Sequence, residues 1–295
     1  MPLNYSLVVP PTIEPISLSL AKKQVRIDIP DDNELLTNYI EVARDYCESY
    51  CNRAFYPQTW QLFLDTFPFG DWRSTTPPDQ RDPSNFSKYW SDLAIRLPKP
   101  MCTGVLSINY KDETGTSQVL DPSLYAVDVN SRPARIVPAP GRIWPLTQYY
   151  LPGSVNVIYT AASYVATLTE RVTLTGAGPY VGTLAKQVIS ITSVKDTGGA
   201  DLTYTSSIAV DGNGDPTSNT TLSFAANPTG GVAVVTYQAG VIPASIKMAM
   251  MLIIGHLYEN REQSTELSLK NLPLGVNEFL ARHRFENFGV YQDGY

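Results

Sequence analysis

The sequence is poor in the residues that most enzymes and metal sites use. It has only two histidines and three cysteines among 295 residues. It contains no His-Glu-x-x-His motif, no Gly-x-Ser-x-Gly elbow and no phosphate-binding Gly-x-x-x-x-Gly-Lys-Ser/Thr loop. We therefore predict that the protein is not an enzyme and uses no cofactor or metal ion. His256 and His283 are expected to be core or interface residues.

The cysteine pattern does not indicate a disulfide framework, because an odd number of cysteines is spread over a long chain. Cys47 and Cys51 lie one helical turn apart with no histidine nearby. This spacing favours two buried thiols, and a metal-binding pair is the alternative.

Charge and long apolar runs are also scarce. Charged residues make up 17% of the chain, the net charge is −6 and the pI is about 5.0, which argues against a broad basic surface that wraps nucleic acid. The apolar run at residues 248–254 is far shorter than the roughly 20 residues that a membrane helix needs. We expect a protein that is made and kept in a cytoplasm, without a membrane partner.

Two groups of carboxylates merit a chemical interpretation. Asp65 with Asp71 or Asp92 could form a glycosidase pair, although solvated or capping roles are commoner. The string Asp211-Gly212-Asn213-Gly214-Asp215 imitates the start of a calcium loop, but Pro216 replaces the required Gly and Leu222 replaces the final Glu. The string therefore predicts a tight hairpin turn, with calcium binding as the alternative.

Helical patterns are present at both ends of the chain. The first end predicts helices at residues 18–26, with Ser17 as N-cap, and at residues 33–52. The other end predicts a helix within residues 242–261 that is apolar on both sides, and a short helix at 276–284. A helix with two apolar sides needs two partners, so we predict that it contacts both its own chain and a second subunit. The subunit-interface candidates are Ile246, Met250, Ile253, Leu257 and Met251.

Between the helical ends the pattern changes to short strands separated by frequent turns, which is typical of a β-sandwich or barrel. The strands form two series that we interpret as tandem copies. Val105-Leu106-Ser107-Ile108 aligns with Val188-Ile189-Ser190-Ile191, and the same offset aligns Ala126-Val127-Asp128 with Ala209-Val210-Asp211. Duplication requires the same strand order in both series.

The predicted fold class is α+β: a discontinuous α-helical bundle from both chain ends, with two inserted, duplicated, antiparallel β-sandwich-like units. The predicted domains are a helical part at 1–54, a first β domain at 55–162, a second inserted β domain at 163–240, and a helical part at 241–295 that ends in an extended arm.

Two segments outside these elements are rich in aromatic residues. The long segment at residues 68–92 predicts either a loop that docks on a partner or a lid over the adjacent β core. Its aromatic residues are Trp72, Phe86, Tyr89 and Trp90. The C-terminal segment predicts an arm that orders on a partner rather than a disordered end. Its aromatic residues are Phe285, Phe288, Tyr291 and Tyr295.

The order of several short strings resembles the head-tail connector, or adaptor, proteins of tailed bacteriophages and gene transfer agents. The strings are Val25-Arg26-Ile27-Asp28, Asp45-Tyr46-Cys47-Glu48-Ser49-Tyr50, Gln58-Thr59-Trp60-Gln61-Leu62, Ile242-Pro243 and His256-Leu257-Tyr258-Glu259-Asn260-Arg261-Glu262. The resemblance covers about the first 160 residues and those after about 237, so the second β unit is extra.

This resemblance implies a virion protein of the head-tail interface, without catalysis. Such proteins form a homo-oligomeric ring, commonly of twelve copies, below the portal protein, where they extend the DNA channel and offer a platform for a tail or tail-fibre protein. The acidic balance suits a channel through which packaged DNA passes without sequence-specific binding. We predict that the second β unit projects outward to a tail component, so that deleting residues 164–236 spares ring docking.

The main alternative is a carbohydrate- or receptor-binding β protein of a virion. In that case Trp72, Tyr89, Trp90 and Tyr180 would stack on sugars. An enzyme is the third interpretation, and it would require a pocket with converging carboxylates.

Overall fold

The computed structural model describes residues 4–68, 93–148, 151–260 and 275–285. The described residues fall into two compact units. One contains residues up to Pro11, those of Asn52–Ser163, and Phe285. The other contains Thr12–Cys51 and the described residues of Tyr164–Arg284.

The first unit consists of two antiparallel sheets, which we call the first β module. Its strands are β1 (Asn4–Val9), β2 (Gln58–Leu64), β3 (Ile95–Arg96), β4 (Cys102–Lys111), β5 (Ser117–Val119), β6 (Tyr125–Asp128), β7 (Arg135–Pro138) and β8 (Val155–Ala161). One sheet has the order β1-β2-β8-β4-β5 and the other has the order β3-β7-β6.

The core of the first module follows the two-residue period of its central strand. On β8, Val155, Val157, Tyr159 and Ala161 are buried, whereas the residues between them are half-buried. Alternate side chains of a strand lie on the same face of the sheet, so these four side chains form one wall of the core. Ile136 of β7 belongs to the same buried cluster.

The second unit combines helices with two further antiparallel sheets. The helices are α1 (Leu18–Val25), α2 (Asn33–Cys51), α3 (Ala244–Glu259) and α4 (Val276–Ala281). The strands, which we call the second β module, are β9 (Val165–Thr173), β10 (Tyr180–Thr183), β11 (Val188–Asp196), β12 (Thr205–Val210), β13 (Pro216–Phe224) and β14 (Val232–Gly240). Their orders are β11-β14-β9 and β10-β13-β12.

The four helices of the second unit contact one another, and α1 also contacts β13. Helix α1 begins after Ser17, whose hydroxyl accepts a hydrogen bond from the backbone N–H of Leu20 at 3.3 Å, as the N-cap prediction requires. Helix α2 buries Leu36, Ile40, Ala43 and Cys47, a stripe at helical spacing. No helix in the described ranges is both long and apolar enough to cross a membrane.

The two β modules have the same strand order. β2-β8-β4 corresponds to β9-β14-β11, and β3-β7-β6 corresponds to β10-β13-β12. The structure therefore meets the condition that the duplication hypothesis requires, and the α+β class with antiparallel β insertions is confirmed.

Each of the corresponding strands β4 and β11 has two β-bulges, and their positions define which residues of the two modules are equivalent. Against β8, strand β4 changes register after Cys102 and again after Val105. Against β14, strand β11 changes register after Val188 and again after Ile191. The bulges align Val105 with Ile191 rather than with Val188, so the sequence alignment of the copies is displaced by three residues at this strand. Short runs rich in Val, Ile and Ser match in more than one register, and only the bulges fix it.

The compact units also differ from the four predicted segments. Strand β1 pairs with β2, although residues 1–54 were assigned to the helical part. The second β module shares one compact unit with the helices, whereas the sequence analysis treated it as a separate insertion. We keep the four-part division only as a proposal.

Candidate assembly surfaces

Helix α3 buries most of the residues predicted for a subunit interface. Ile246, Met250 and Ile253 are buried inside the unit, where α3 packs against α1, α2 and α4. The interface prediction is therefore corrected for these three residues, because an amphipathic stripe shows that a face is covered but not by which chain. Met251 and Leu257 are half-buried and remain candidates.

A second face of α3 stays partly uncovered. Met248 is exposed, and Met251 and Leu252 are half-buried. We call these three residues the α3 strip. It is the part of the two-sided apolar helix that the described residues leave partly exposed.

Most of the predicted aromatic docking residues lie outside the described residues. These are Trp72, Phe86, Tyr89 and Trp90 of the long segment and Phe288, Tyr291 and Tyr295 of the arm. The ring of Phe285 lies 5.8 Å from the guanidinium carbon of Arg53, within reach of a cation–π contact. Tyr180, a sugar-stacking candidate, is half-buried and packs against the core of the second β module.

The carboxylates Asp71 and Asp92 also lie outside the described ranges, so the proposed glycosidase pairing gains no support. Asp65 accepts a hydrogen bond from the backbone N–H of Gly153 at 2.9 Å, which is a structural role. No group of three or more potential metal ligands occurs in the part of the chain that the structure describes.

The string 211–215 forms the predicted hairpin turn. One carboxylate oxygen of Asp211 accepts the backbone N–H groups of Asn213 and Asp215 at 3.0 and 3.1 Å. Gly214 adopts a φ of 83°, the left-handed region that glycine enters without strain. The same Asp-x-x-Gly turn recurs at Asp112 and at Asp196.

The turn at 211–215 also binds helix α1. The Ser19 hydroxyl donates to Asp211 at 2.6 Å, and this bond contributes most to holding the pKa of Asp211 below its ordinary value. The Lys22 ammonium lies 2.7 Å from a carboxylate oxygen of Asp215, and both side chains are only 5–6% exposed. The second β module is thereby anchored to α1. That deleting residues 164–236 spares ring docking stays a prediction.

A second ionic cluster joins Glu14, in the segment before α1, to α2, and Gln187, the residue before β11, also binds Glu14. The Arg44 Nε lies 3.0 and 2.9 Å from the two carboxylate oxygens of Glu14, and another Arg44 nitrogen lies 3.0 Å from Glu48. The side-chain amide of Gln187 donates to the backbone carbonyl of Glu14 at 2.7 Å. Burial raises the pKa of Glu14 to about 7, and the Arg44 charge opposes that rise.

The histidines and cysteines have structural surroundings. His283 lies 2.8 Å from the Ser245 hydroxyl and 3.4 Å from the Tyr164 hydroxyl, and His256 lies 3.2 Å from the Asn260 amide. The three cysteines are buried as free thiols, and burial raises the pKa of the Cys47 thiol. This agrees with the prediction of buried thiols. Both histidines are half-buried, and their assignment to a core or an interface stays a prediction.

The five-stranded sheet exposes apolar side chains at both of its edges. All six residues of β1 are exposed, and four of them are large apolar residues: Tyr5, Leu7, Val8 and Val9. At the opposite edge, Leu106 of β4 and Val119 of β5 are exposed. Exposed apolar edge strands commonly mark contacts with another chain.

The described residues thus define an α+β protein with apolar sheet edges and a partly exposed apolar helix face. Residues 15–98 match the family of Phage gp6-like head-tail connector proteins. This match confirms, for that segment, the family resemblance that the sequence suggested. No sequence among the curated proteins matches the chain.

The fold is similar to chains in solved structures of gene transfer agent (GTA) particles. A chain from the neck of an empty GTA particle, computed with C6 symmetry, is 15% identical with a TM-score of 0.50. A chain from the neck of a native GTA particle, computed with C12 symmetry, is 14% identical with the same score. Each match covers 99% of this chain and 100% of the other, so the fold likeness extends over both β modules.

Proposed function

We propose that the protein is a structural head-tail connector, or adaptor, in the neck of a phage-like particle. Two findings together support the proposal: the family match over residues 15–98 and the fold likeness that covers 99% of the chain. The surfaces described above fit a role in assembly, since they are apolar and uncharged. The proposal assigns no catalytic step to the chain.

In the proposed assembly, about twelve copies form a ring below the portal protein, as the C12 symmetry of one similar neck suggests. The ring extends the channel for packaged DNA and presents a platform for a tail or tail-fibre protein. A net charge of −6 supports passage of DNA, because cationic walls would hold the phosphates. A discontinuous bundle of α1–α4 carries the two inserted β-sandwich-like modules.

We assign the contacts with other chains to three surfaces. The α3 strip and Leu257 contact a neighbouring copy or the portal. The arm beyond Phe285 docks on the portal or on a neighbouring copy, and the segment with Trp72, Phe86, Tyr89 and Trp90 docks on a partner. Aromatic residues are enriched at the centres of such contacts, which supports the assignment of the arm and of that segment.

To test the proposal, the purified chain is mixed with the portal complex of its particle. Native mass spectrometry then gives the mass of any assembly, and electron microscopy shows its form. We expect rings of about twelve copies on one end of the portal. A chain that stays monomeric and does not bind portal would contradict the proposal.

A matched pair of variants tests the α3 strip. Met248→Lys places a charge on the strip, whereas Val42→Lys places one on an exposed apolar position of α2. We expect weaker binding to portal or to neighbours for Met248→Lys alone. Equal binding by both variants would remove the strip from the proposed contacts.

A further inference from the structure

The five-stranded sheet has two different edges, and neither carries charged side chains or proline, two of the devices that block strand addition. Natural sheets block exposed edges with charged side chains or proline. None of the residues of β1, of β5, or of the outer part of β4 at positions 103–107 is charged or a proline. By contrast, the edge strands β9 and β11 of the second module carry charges, among them Arg171 and Lys195.

The most exposed apolar residues of these edges lie at or near irregularities. Val8 is 46% exposed and lies at the β1 bulge, between the paired residues Leu7 and Val9. Leu106 is 62% exposed and lies at the second bulge of β4. Val119 on β5 is 70% exposed. Exposed side chains of this size at a strand edge favour a partner that covers them.

The second β module shows that neither flanking strand is needed to build this kind of sheet. Its sheet consists of β9-β14-β11, the counterparts of β2-β8-β4, with no counterpart of β1 or β5 among the strands described. That sheet still buries a core containing Val235 and Tyr237. Strands β1 and β5 therefore add exposed surface to a sheet whose core the other three strands already supply.

We propose that the β1 edge of one copy packs against the β4–β5 edge of the next copy, so that the sheet continues from subunit to subunit. On its outer side β5 has no strand partner among the described residues, so its backbone groups can pair there, and Leu106 and Val119 contact the apolar side chains of β1. This inference rests on the proposed ring function and names its subunit contact.

The partner at each edge is a second copy of this chain, because the two edges are different and belong to one sheet. A contact between unlike surfaces is head-to-tail, and it builds a ring when the rotation between copies closes. Copies that each carry a net charge of −6 repel one another, and the two edges are uncharged surfaces at which this repulsion is weakest.

Cysteine crosslinking tests the contact directly. We would compare Val8→Cys, Val119→Cys and the double variant in assembled protein, using a flexible bis-maleimide linker that tolerates small errors in register. The native cysteines Cys47, Cys51 and Cys102 are buried and do not compete. The double variant is expected to give a ladder from dimer upward, each single variant no product, and a mixture of the two single variants only dimers.

Other crosslinking results overturn the proposal. Dimers formed by a single variant would indicate a contact between like edges. Assembled rings without a ladder would show that these edges do not meet, and crosslinks to portal or tail protein alone would assign the edges to a different partner.

A blocking variant with a matched control gives an independent measurement. Val8→Lys introduces a charge at the β1 edge, and Ile143→Lys introduces one at a position that is 89% exposed in a loop of the same unit. Burial of one large apolar side chain contributes enough that Val8→Lys should weaken ring formation at least about tenfold. Ile143→Lys should leave it unchanged, and circular dichroism should show both variants folded.

The outcomes separate this inference from the proposed function. If the unmodified chain forms no ring alone or on portal, the proposed function fails. If it forms rings and Val8→Lys forms them equally well, only the edge contact fails.

Discussion

The two β modules have one strand order but differ in what surrounds it. In the first module, β1 and β5 extend the three-stranded core sheet and leave apolar edges exposed. In the second, the hairpin at Asp211 is bound to α1, and Gln187, just before β11, is bound to the backbone of Glu14. The same core sheet thus carries exposed apolar edges in one module and is anchored to its own chain in the other, through differences at its edges and turns.

The strongest test of this comparison is removal of the buried anchor. Asp215→Ala leaves the Lys22 ammonium buried without its 2.7 Å carboxylate partner. Loss of one member of a buried pair typically costs about 3–5 kcal/mol of unfolding free energy. Urea denaturation measures the loss.

The control for the anchor is the neighbouring hairpin. Lys195 lies 3.9 Å from Asp201, and both side chains are well exposed. Asp201→Ala should change the unfolding free energy by about 0.5 kcal/mol or less. Similar costs for Asp201→Ala and Asp215→Ala would contradict the distinction between a buried and an exposed ion pair.

The second anchor predicts a pH dependence. Burial raises the pKa of Glu14 from 4.5 to about 7, against the charge of Arg44 and together with the charges of Glu41 and Glu48. The folded chain therefore holds a proton that the unfolded chain releases, so this stability is complete below about pH 4.5 and is lost as the pH rises to about 7. The loss should be roughly 3 kcal/mol, since one pKa unit corresponds to about 1.4 kcal/mol.

Glu14→Gln removes this titrating group, and we expect a flatter plot of unfolding free energy against pH from 4.5 to 7. Glu41→Gln is the control, since Glu41 is exposed and acts on Glu14 only through its charge. An unchanged slope in Glu14→Gln would show that another group dominates in this range.

Two buried tyrosines occupy equivalent positions in the two β modules but have different hydrogen-bond partners. The bulges align Tyr159 with Tyr237, and both rings are buried. The Tyr237 hydroxyl donates to the Glu170 carboxylate at 2.9 Å, whereas the Tyr159 hydroxyl accepts the backbone N–H of Lys99 at 3.4 Å. Hydrogen bonds to charged groups contribute about 1.5–3 kcal/mol and neutral ones about 1 kcal/mol.

We therefore expect Tyr237→Phe to lower the unfolding free energy more than Tyr159→Phe does. Thermal and urea unfolding of the two variants measure the difference. Equal losses would mean that these counterparts differ in partner but not in energy.

The smallest effect is expected at the turn glycines. Gly214 has a φ of 83° and no atom within 4 Å of an added Cβ, so Gly214→Ala should cost only the backbone strain of about 1–2 kcal/mol. Gly212→Ala, in the same turn but without a positive φ, is the control and should be nearly neutral. A costly Gly212→Ala would show that the turn is constrained by more than its left-handed residue.

Sequence patterns predicted the regular elements better than their surroundings. The helix predicted at residues 33–52 is observed as Asn33–Cys51, and the one predicted within 242–261 as Ala244–Glu259. Local periodicity is enough to predict these helices, because the residues that a helix buries recur in the sequence at helical spacing. Strand β1 was missed because a run of six residues between prolines offers little periodicity.

The predicted sites were less successful, and the reason is again physical. The spacing of Ile246, Met250 and Ile253 predicted that they would be covered, and they are, but by helices of the same chain. The ion pairs were not predicted. Lys22 is far from Asp215 in the sequence, as Arg44 is from Glu14, and no local pattern indicates that such distant residues pair.

The sequence alone was enough to predict the helical ends, the strand-rich middle and the turn at residues 211–215, because each depends on neighbouring residues. The tertiary structure alone decided which face of α3 is covered, which carboxylates are anchored and which sheet edges stay exposed. Those outcomes depend on distant segments that compete to bury the same surfaces, and that competition is settled only when the whole chain packs.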